Sequence, residues 1–456
     1  MAVQFRTLRC FVALIALQIA LVVLSSEAIH AQGSPGSLDP SFGGDGKVGK
    51  SCTFPLSATD SPAVPFAGTA CNDSVNAMAL ESDGSFVLAG GNSDFGEGGG
   101  FKLWRYLADG SSRGTFALTD VTNGPDFATA IVIQSDGKII AGGYAYQTGA
   151  FVLVRYLPDE TLDASFGSGG IVQTPMGVDY AILEDLVILP DGKLLAAGEA
   201  KWFAEGSKHL ALARYLPDGQ LDTTFGRNGR AYARFFGNAN ISGLALAPDG
   251  KFVVSGYISG TTILDYWGFA IMRFLPNGLV DFSFGTLGRV VLRSPKLLAA
   301  TSLVVQDDGK IVVGGVGEPE PGVSSFAVIR LTETGSLDPD FGQGGGVLTI
   351  FPEGDSRLNA LALQSDGKLV AAGSVDVPAH SREDFAVVRY LPDGSLDLDF
   401  GMDGRVTTQF FASSPAEITA VLLQPDGKIV AAGTVFTWEL FGPRSGTLPA
   451  MARYLP

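Results

Sequence analysis

Histidine and cysteine are almost missing from this 456-residue chain, with three of each. His209 and His380 lie outside any H-x-x-x-H or H-E-x-x-H pattern, so a zinc hydrolase, which needs paired imidazoles, has no ligand set here. Both read as solvated loop residues. Positive charge is scarce as well: 31 Lys and Arg face 47 Asp and Glu, a net −16 at pH 7. No basic run offers a face for phosphate backbones, which excludes nucleic acid as a partner. No P-loop or dinucleotide G-x-G-x-x-G follows a strand and opens a helix, and the glycines of 96–100 read as a loop. The G-x-S-x-G match at 110–114 lacks the strand-to-helix elbow that would make Ser112 a nucleophile. No catalytic residue is assigned, and the chain reads as a non-enzyme more readily than as an enzyme.

Long apolar runs are also missing, with one exception. Arg6 and Arg9 precede an apolar stretch over 10–24, followed by small residues up to Ala31. That is the pattern of a secretory signal over 1–31, and the run is shorter than the roughly 20 residues a membrane span needs. The mature chain is expected to start at Gln32 and to be secreted, periplasmic or on the cell surface, with no membrane span. Cys10 lies inside the signal, which leaves Cys52 and Cys71 for a disulfide across the 50–73 loop, natural in an oxidising compartment.

What the chain has in excess is glycine, 60 residues, and its placement is periodic. Asp-Gly turns recur at Asp83, Asp136, Asp191, Asp249, Asp308, Asp366 and Asp426, spaced 53 to 60 residues apart. Each lies between two apolar runs, a strong hairpin signal, because Gly accepts positive φ and Asp bonds its own backbone. Residues 358–411 show the full unit: LNALALQ, SDGK, KLVAAG, a variable loop, FAVVRYLP, DGSLDLDFGMDG and RVTTQF. That is four strands in sequence. The runs are apolar at adjacent positions, so both faces must be covered, as in four-stranded sheets packed radially in a β-propeller. The chain stops after the third strand of its seventh unit, and SLDPSFGGDGKV at 37–48 matches the missing piece. The expected fold is all-β, a single seven-bladed propeller over 32–456. Its blades cover about 74–122, 126–176, 182–236, 241–293, 299–351, 358–411, and 415–456 completed by 37–49. Ring closure removes exposed sheet edges.

The D-G-K hairpin, the R-Y-L-P-D-G segment and the L-D-x-x-F-G segment recur in one order, as at 155–167, 214–226 and 389–401. In these motifs the sequence resembles the delta-60 repeat family of exported bacterial β-propellers, across nearly all of the mature chain. Unit one departs from the pattern: Ala108-Asp109-Gly110 leads into a short turn without L-D-x-x-F-G. The resemblance implies a propeller and no particular reaction.

Arg105, Arg155, Arg214, Arg273, Arg330, Arg389 and Arg453 hold one position in all seven units, while Asp163, Asp222, Asp281, Asp338 and Asp397, with Asp39, recur in six. A single site does not need seven copies, so these are read as structural pairs within each blade. No cofactor or metal is assigned. Calcium at pairs such as Asp338 with Asp340 or Asp397 with Asp399 is the weaker alternative, because no full D-x-D-x-D-G loop occurs.

Function is sought on the face that varies. The turns joining first to second and third to fourth strands are uniform; the connections at 144–150, 199–209, 257–267, 316–325, 375–384 and 435–449 differ in length and content. They carry Trp202, Phe203, Tyr257, Tyr266, Trp267, Phe436, Trp438 and Phe441 beside the acids Glu199, Glu205, Asp265, Asp384 and Glu439. Rings beside carboxylates suit a sugar or a protein hot spot, or else fill crevices between blades. Trp202, Tyr257, Tyr266, Trp267, Trp438, Asp265 and Glu439 are the expected ligand contacts. The expected function is a monomeric binding or scaffold module for an extracellular protein or carbohydrate. The alternatives are a hydrolase or lyase with carboxylates at the ring mouth, and a purely structural adhesion component.

Overall fold

The structure, a computed structural model, describes residues 33–49, 73–92, 99–145, 148–177, 180–201, 208–235, 238–259, 267–293, 296–380, 382–411, 414–438 and 445–456. The signal segment, Cys52 and Cys71 lie outside the described residues, as do Trp202, Phe203, Glu205, Asp265, Tyr266, Glu439 and Phe441.

Local chemistry builds the hairpins. In the third unit Asp191 Oδ1 accepts from the Lys193 amide at 3.2 Å, and Gly192 takes φ +80°, folding Tyr180–Ile188 back onto Leu194–Lys201. Seven four-stranded antiparallel sheets result, each in sequence order except the last, where Lys47–Gly49 is the outer strand beside Ser445–Tyr454. The first strands of the seven blades are, in order, Asp73–Leu80, Asp126–Ile133, Tyr180–Ile188, Asn238–Leu246, Leu297–Val305, Ser356–Leu363 and Ala416–Leu423. Each packs on the first strand of the next blade, including the last on the first, so they line the axis of a closed ring. The chain is a seven-bladed β-propeller. Among the described residues no helix is long and apolar enough to cross a membrane.

The core lies between blades, where strands that are apolar on both faces require it. Each of seven buried clusters draws on two neighbouring blades; one joins Phe42, Val430 and Met451 of the last blade to Val75, Phe86 and Trp104 of the first. In unit one the strand Ser112–Thr119 forms although the L-D-x-x-F-G segment is missing, at the cost of two register shifts against Phe101–Tyr106.

The recurrent polar residues form one module per blade. Arg155 Nε donates to Asp163 Oδ2 at 2.9 Å, and its guanidinium sits 4.3 Å from the centre of the Phe166 ring, while Nη1 donates to the Pro217 carbonyl of the following blade. Arg214, Arg273 and Arg330 repeat this with Asp222, Asp281 and Asp338 and with the carbonyls of Pro276, Glu333 and Pro392. Arg389 pairs with Asp397 and Arg453 with Asp39. Arg105, which lacks this partner, turns to Glu81 at 3.1 Å and Glu160 at 2.6 Å. Asp338 Oδ2, which the calcium alternative would need, is held by both Arg330 and Lys310.

Burial by itself would raise the Asp163 carboxyl. The Ser165 hydroxyl and amide, with Arg155, outweigh it and hold the group at about 2; Asp222 likewise stands at about 2, with Thr224, Lys193 and Arg214 opposing its burial. A depressed acid contributes stability above its unfolded value near pH 4 and loses it as pH falls through 2. Asp163→Ala should therefore cost about 3 kcal/mol at pH 7, by stranding a buried guanidinium, and much less at pH 2. Denaturant melts at the two pH values check this; equal losses at both would refute the ion-pair account.

Candidate functional site at the mouth of the axial channel

A cavity of about 710 Å³ runs along the axis and is lined by residues from all seven first strands. Its geometry starts from a glycine. A Cβ on Gly198 would lie 2.0 Å from the Ile182 carbonyl, so with glycine there the first strand can bulge, and the pairing with Leu194–Lys201 shifts register between Leu183 and Asp185. Every blade has this irregularity, and the residue left out of register is Asn76, Thr129, Glu184, Ser242, Thr301, Asn359 or Thr419. All seven line the cavity.

Six of these residues donate to a carbonyl of the next blade. Asn76 reaches Ala128 (2.8 Å), Thr129 reaches Leu183 (2.5 Å), and Ser242 reaches Ala300 (2.7 Å). Thr301 reaches Leu358 (2.6 Å), Asn359 reaches Ile418 (2.8 Å), and Thr419 closes the circle on Val75 (2.8 Å). The belt has one exception. Glu184 supplies a carboxyl where the others supply a hydroxyl or amide donor. The seam to the fourth blade is instead tied by Asp185, whose oxygens accept from the Leu186 amide (2.8 Å) and the Leu244 amide (2.7 Å).

Three consecutive blades converge on Glu184. From its own blade come Tyr180 and Glu199; Lys208 Nζ sits 2.7 Å from Glu199 Oε1 and 2.7 Å from Asn240 Oδ1 of the next blade. From the second blade comes Tyr144, stacked on Phe127 with ring centres 5.7 Å apart. From the fourth comes Tyr257, stacked on Trp267 at 5.4 Å, with Trp267 48% exposed. Burial first, then the charge of Glu199, push the Glu184 carboxyl up to about 8, against the pull of Lys208 and with a further push from Asp185. Burial chiefly raises Asp185 to about 6. Tyr144, Tyr180 and Tyr257 are raised by burial and then by these carboxyls, so they stay phenols.

Of the residues expected to contact a ligand, the structure stacks Tyr257 on Trp267 and brings Tyr257 within the field of Glu199 and Glu184, although neither ring lines the cavity itself. Trp438 ends the strand Ile429–Trp438 on the last blade, and its side chain lies outside the described part. Trp202, Tyr266, Asp265 and Glu439 lie outside it altogether. Among the acids, Glu199 joins the site, whereas Asp384 accepts from Nε and Nη2 of Arg382 at 2.8 and 3.1 Å. Two of the variable connections are largely strand: Ile311–Glu320 and Val323–Leu331 meet across a tight turn, and Leu369–Val377 runs into the short helix Pro378–His380. His209 is no solvated loop residue. It is 7% exposed within Lys208–Tyr215 and accepts from Arg234 Nε at 3.1 Å.

Glu184, Tyr144 and Tyr180 were not anticipated, yet the signal is present. In all seven units a polar residue stands seven positions before the turn aspartate, and only in the third is it an acid.

Fold and channel together define a repeat-built β-propeller. The family described as a beta-propeller domain of unknown function (DUF5122) matches at 134–166, 189–225, 247–284, 306–341 and 364–400, each segment spanning a D-G-x turn and the following arginine module. No curated protein matches. Among solved structures, an ulvan lyase of a new polysaccharide lyase family is 11% identical with TM-score 0.48, covering 85% of this chain and 94% of that one. The β-propeller domain of the trilobed protease from Pyrococcus furiosus is 10% identical with TM-score 0.41, covering 82% and 94%. An α-L-arabinanase from Penicillium chrysogenum is 10% identical with TM-score 0.41, covering 68% and 90%. These likenesses concern fold alone.

Proposed function

We propose that this chain is a carbohydrate-binding propeller, acting as a monomer outside the cytoplasm, with its ligand entering the channel from the variable face between the second and fourth blades. The observation that carries the reading is the gathering of Tyr144, Tyr180 and Tyr257, the last stacked on Trp267, around Glu184 and Glu199, with Tyr144 and Glu184 lining a 710 Å³ cavity. Ring faces accept the apolar side of a sugar, while carboxyls and phenols satisfy its hydroxyls. Export and a Cys52–Cys71 staple are parts of the same proposal.

Screening the chain from Gln32 on an oligosaccharide array, then titrating each hit, tests it. Trp267→Ala should weaken binding at least tenfold without lowering the melting temperature, because this ring is half exposed. A full affinity in that variant, or no binding to any glycan, refutes the proposal. Glu184 at about 8 beside Glu199 also suits a proton donor with a carboxylate partner, which favours the hydrolase or lyase as the second reading. New reducing ends or unsaturated products on incubation with the bound glycan would select it.

A further inference from the structure

The carboxyl of Glu184 has no hydrogen bond or ion pair among the described residues, and it faces a cavity to which no described cation contributes. The other charged lining residue, Asp185, has both oxygens occupied by backbone amides, and Glu199 is matched by Lys208. In the six remaining blades the same position is a neutral donor that strengthens the ring. A carboxyl there contributes nothing to the belt unless it is protonated, and an ionised one needs a positive partner. The walls around it suit such a partner: the three tyrosines offer π faces and hydroxyl oxygens, and Asn240 already accepts from a lysine ammonium through Oδ1. An anionic sugar would meet Glu184, Asp185 and Glu199 in a chain of net charge −16.

We propose that the channel mouth selects saccharides bearing a free amino group, with the ligand ammonium replacing the proton of Glu184. This rests on the carbohydrate reading above and names its ligand class. The exchange balances: a neutral carboxyl and an ammonium become a carboxylate–ammonium pair, and one proton leaves to solvent. The groups facing Glu184 are Tyr180 and Asp185 on its own strand, Glu199 and Lys208 on the next two, Tyr144 from the second blade, and Tyr257 and Asn240 from the fourth. The tyrosines remain neutral, and Lys208 is held by Glu199 and Asn240, so Glu184 supplies the proton.

The test is calorimetric titration of the chain from Gln32 at pH 5.5, where the ligand amines are ammonium and Glu184 keeps its proton, with a β-1,4-linked glucosamine tetramer, its N-acetylated counterpart and a galacturonic acid tetramer, in buffers of different ionisation enthalpy. The glucosamine tetramer should bind at least tenfold tighter than the N-acetylated one, with the galacturonate weakest and close to one proton released per ligand. Glu184→Gln, which keeps an amide donor as Asn76 and Asn359 do, should abolish both the preference and the proton release while melting no lower than wild type. If the N-acetylated or acidic tetramer binds as well, or the preference survives in Glu184→Gln, the ammonium assignment fails while the carbohydrate reading stands. If no saccharide binds at all, both fall.

Discussion

Removing residues 1–49 should lower the melting temperature by about 5–10 °C and make the protein prone to associate. The deletion takes away the outer strand that pairs Lys47, Val48 and Gly49 with Ala452, Met451 and Ala450. It also removes Phe42, fully buried between the last and first blades, and Asp39, the partner of Arg453 at 2.9 Å. Losing a buried phenylalanine costs about 3–5 kcal/mol, and stranding a buried guanidinium costs about 3–5 kcal/mol more. Spread over a domain of this size, whose unfolding entropy is close to 1 kcal/mol per degree, such losses set the expected shift. Association is expected because Ser445–Tyr454 becomes an open edge able to pair with another chain. Differential scanning calorimetry with light scattering reads both effects. An unchanged melting temperature would mean that the ring is held by its interblade contacts and not by the shared last sheet.

The second large effect is expected at Glu184, where substitution should stabilise. An acid raised from its ordinary range to about 8 contributes most below its unfolded value, and that contribution is lost as pH rises through 8. Wild type should therefore lose stability between about pH 5 and 9 relative to Glu184→Gln, which does not titrate and can complete the hydrogen-bonded belt. A tenfold change in proton affinity between the folded and unfolded chain is worth about 1.4 kcal/mol; because the carboxyl borders channel water, a gain of about 1–3 kcal/mol at pH 9 is the expected part, shrinking towards zero near pH 4. Melts across this range decide it. A variant less stable than wild type at pH 9 would show that the ionised carboxyl is already well solvated or paired.

These two effects originate at different levels of the molecule, and they are unequally visible in the linear chain. Closure is legible because SLDPSFGGDGKV at the head repeats the segment that succeeds the third strand in other units, and a sheet lacking its last strand demands it. The arginine modules are legible as pairs, since Arg155 and Asp163 keep one spacing from unit to unit. That Phe166 lies under the same guanidinium, and that the guanidinium also reaches the Pro217 carbonyl of the next blade, required the packing of one wedge against another. The loop-face rings and acids are half legible: Tyr257 and Trp267 meet, whereas Asp384 pairs with Arg382.

The sequence by itself determined the wedge, its sevenfold count and the end that closes it, because turn chemistry and strand patterning act over a few residues and repeat. Only the tertiary structure decided which of those residues share the axis. Positions 76, 129, 184, 242, 301, 359 and 419 are 53 to 60 residues apart along the chain, and become neighbours only when a bulge in each first strand turns them inward on a closed circle. A glutamate among six donors passes unnoticed in the linear chain; on the ring it is the one belt position that carries a carboxyl, at a seam tied by Asp185 instead.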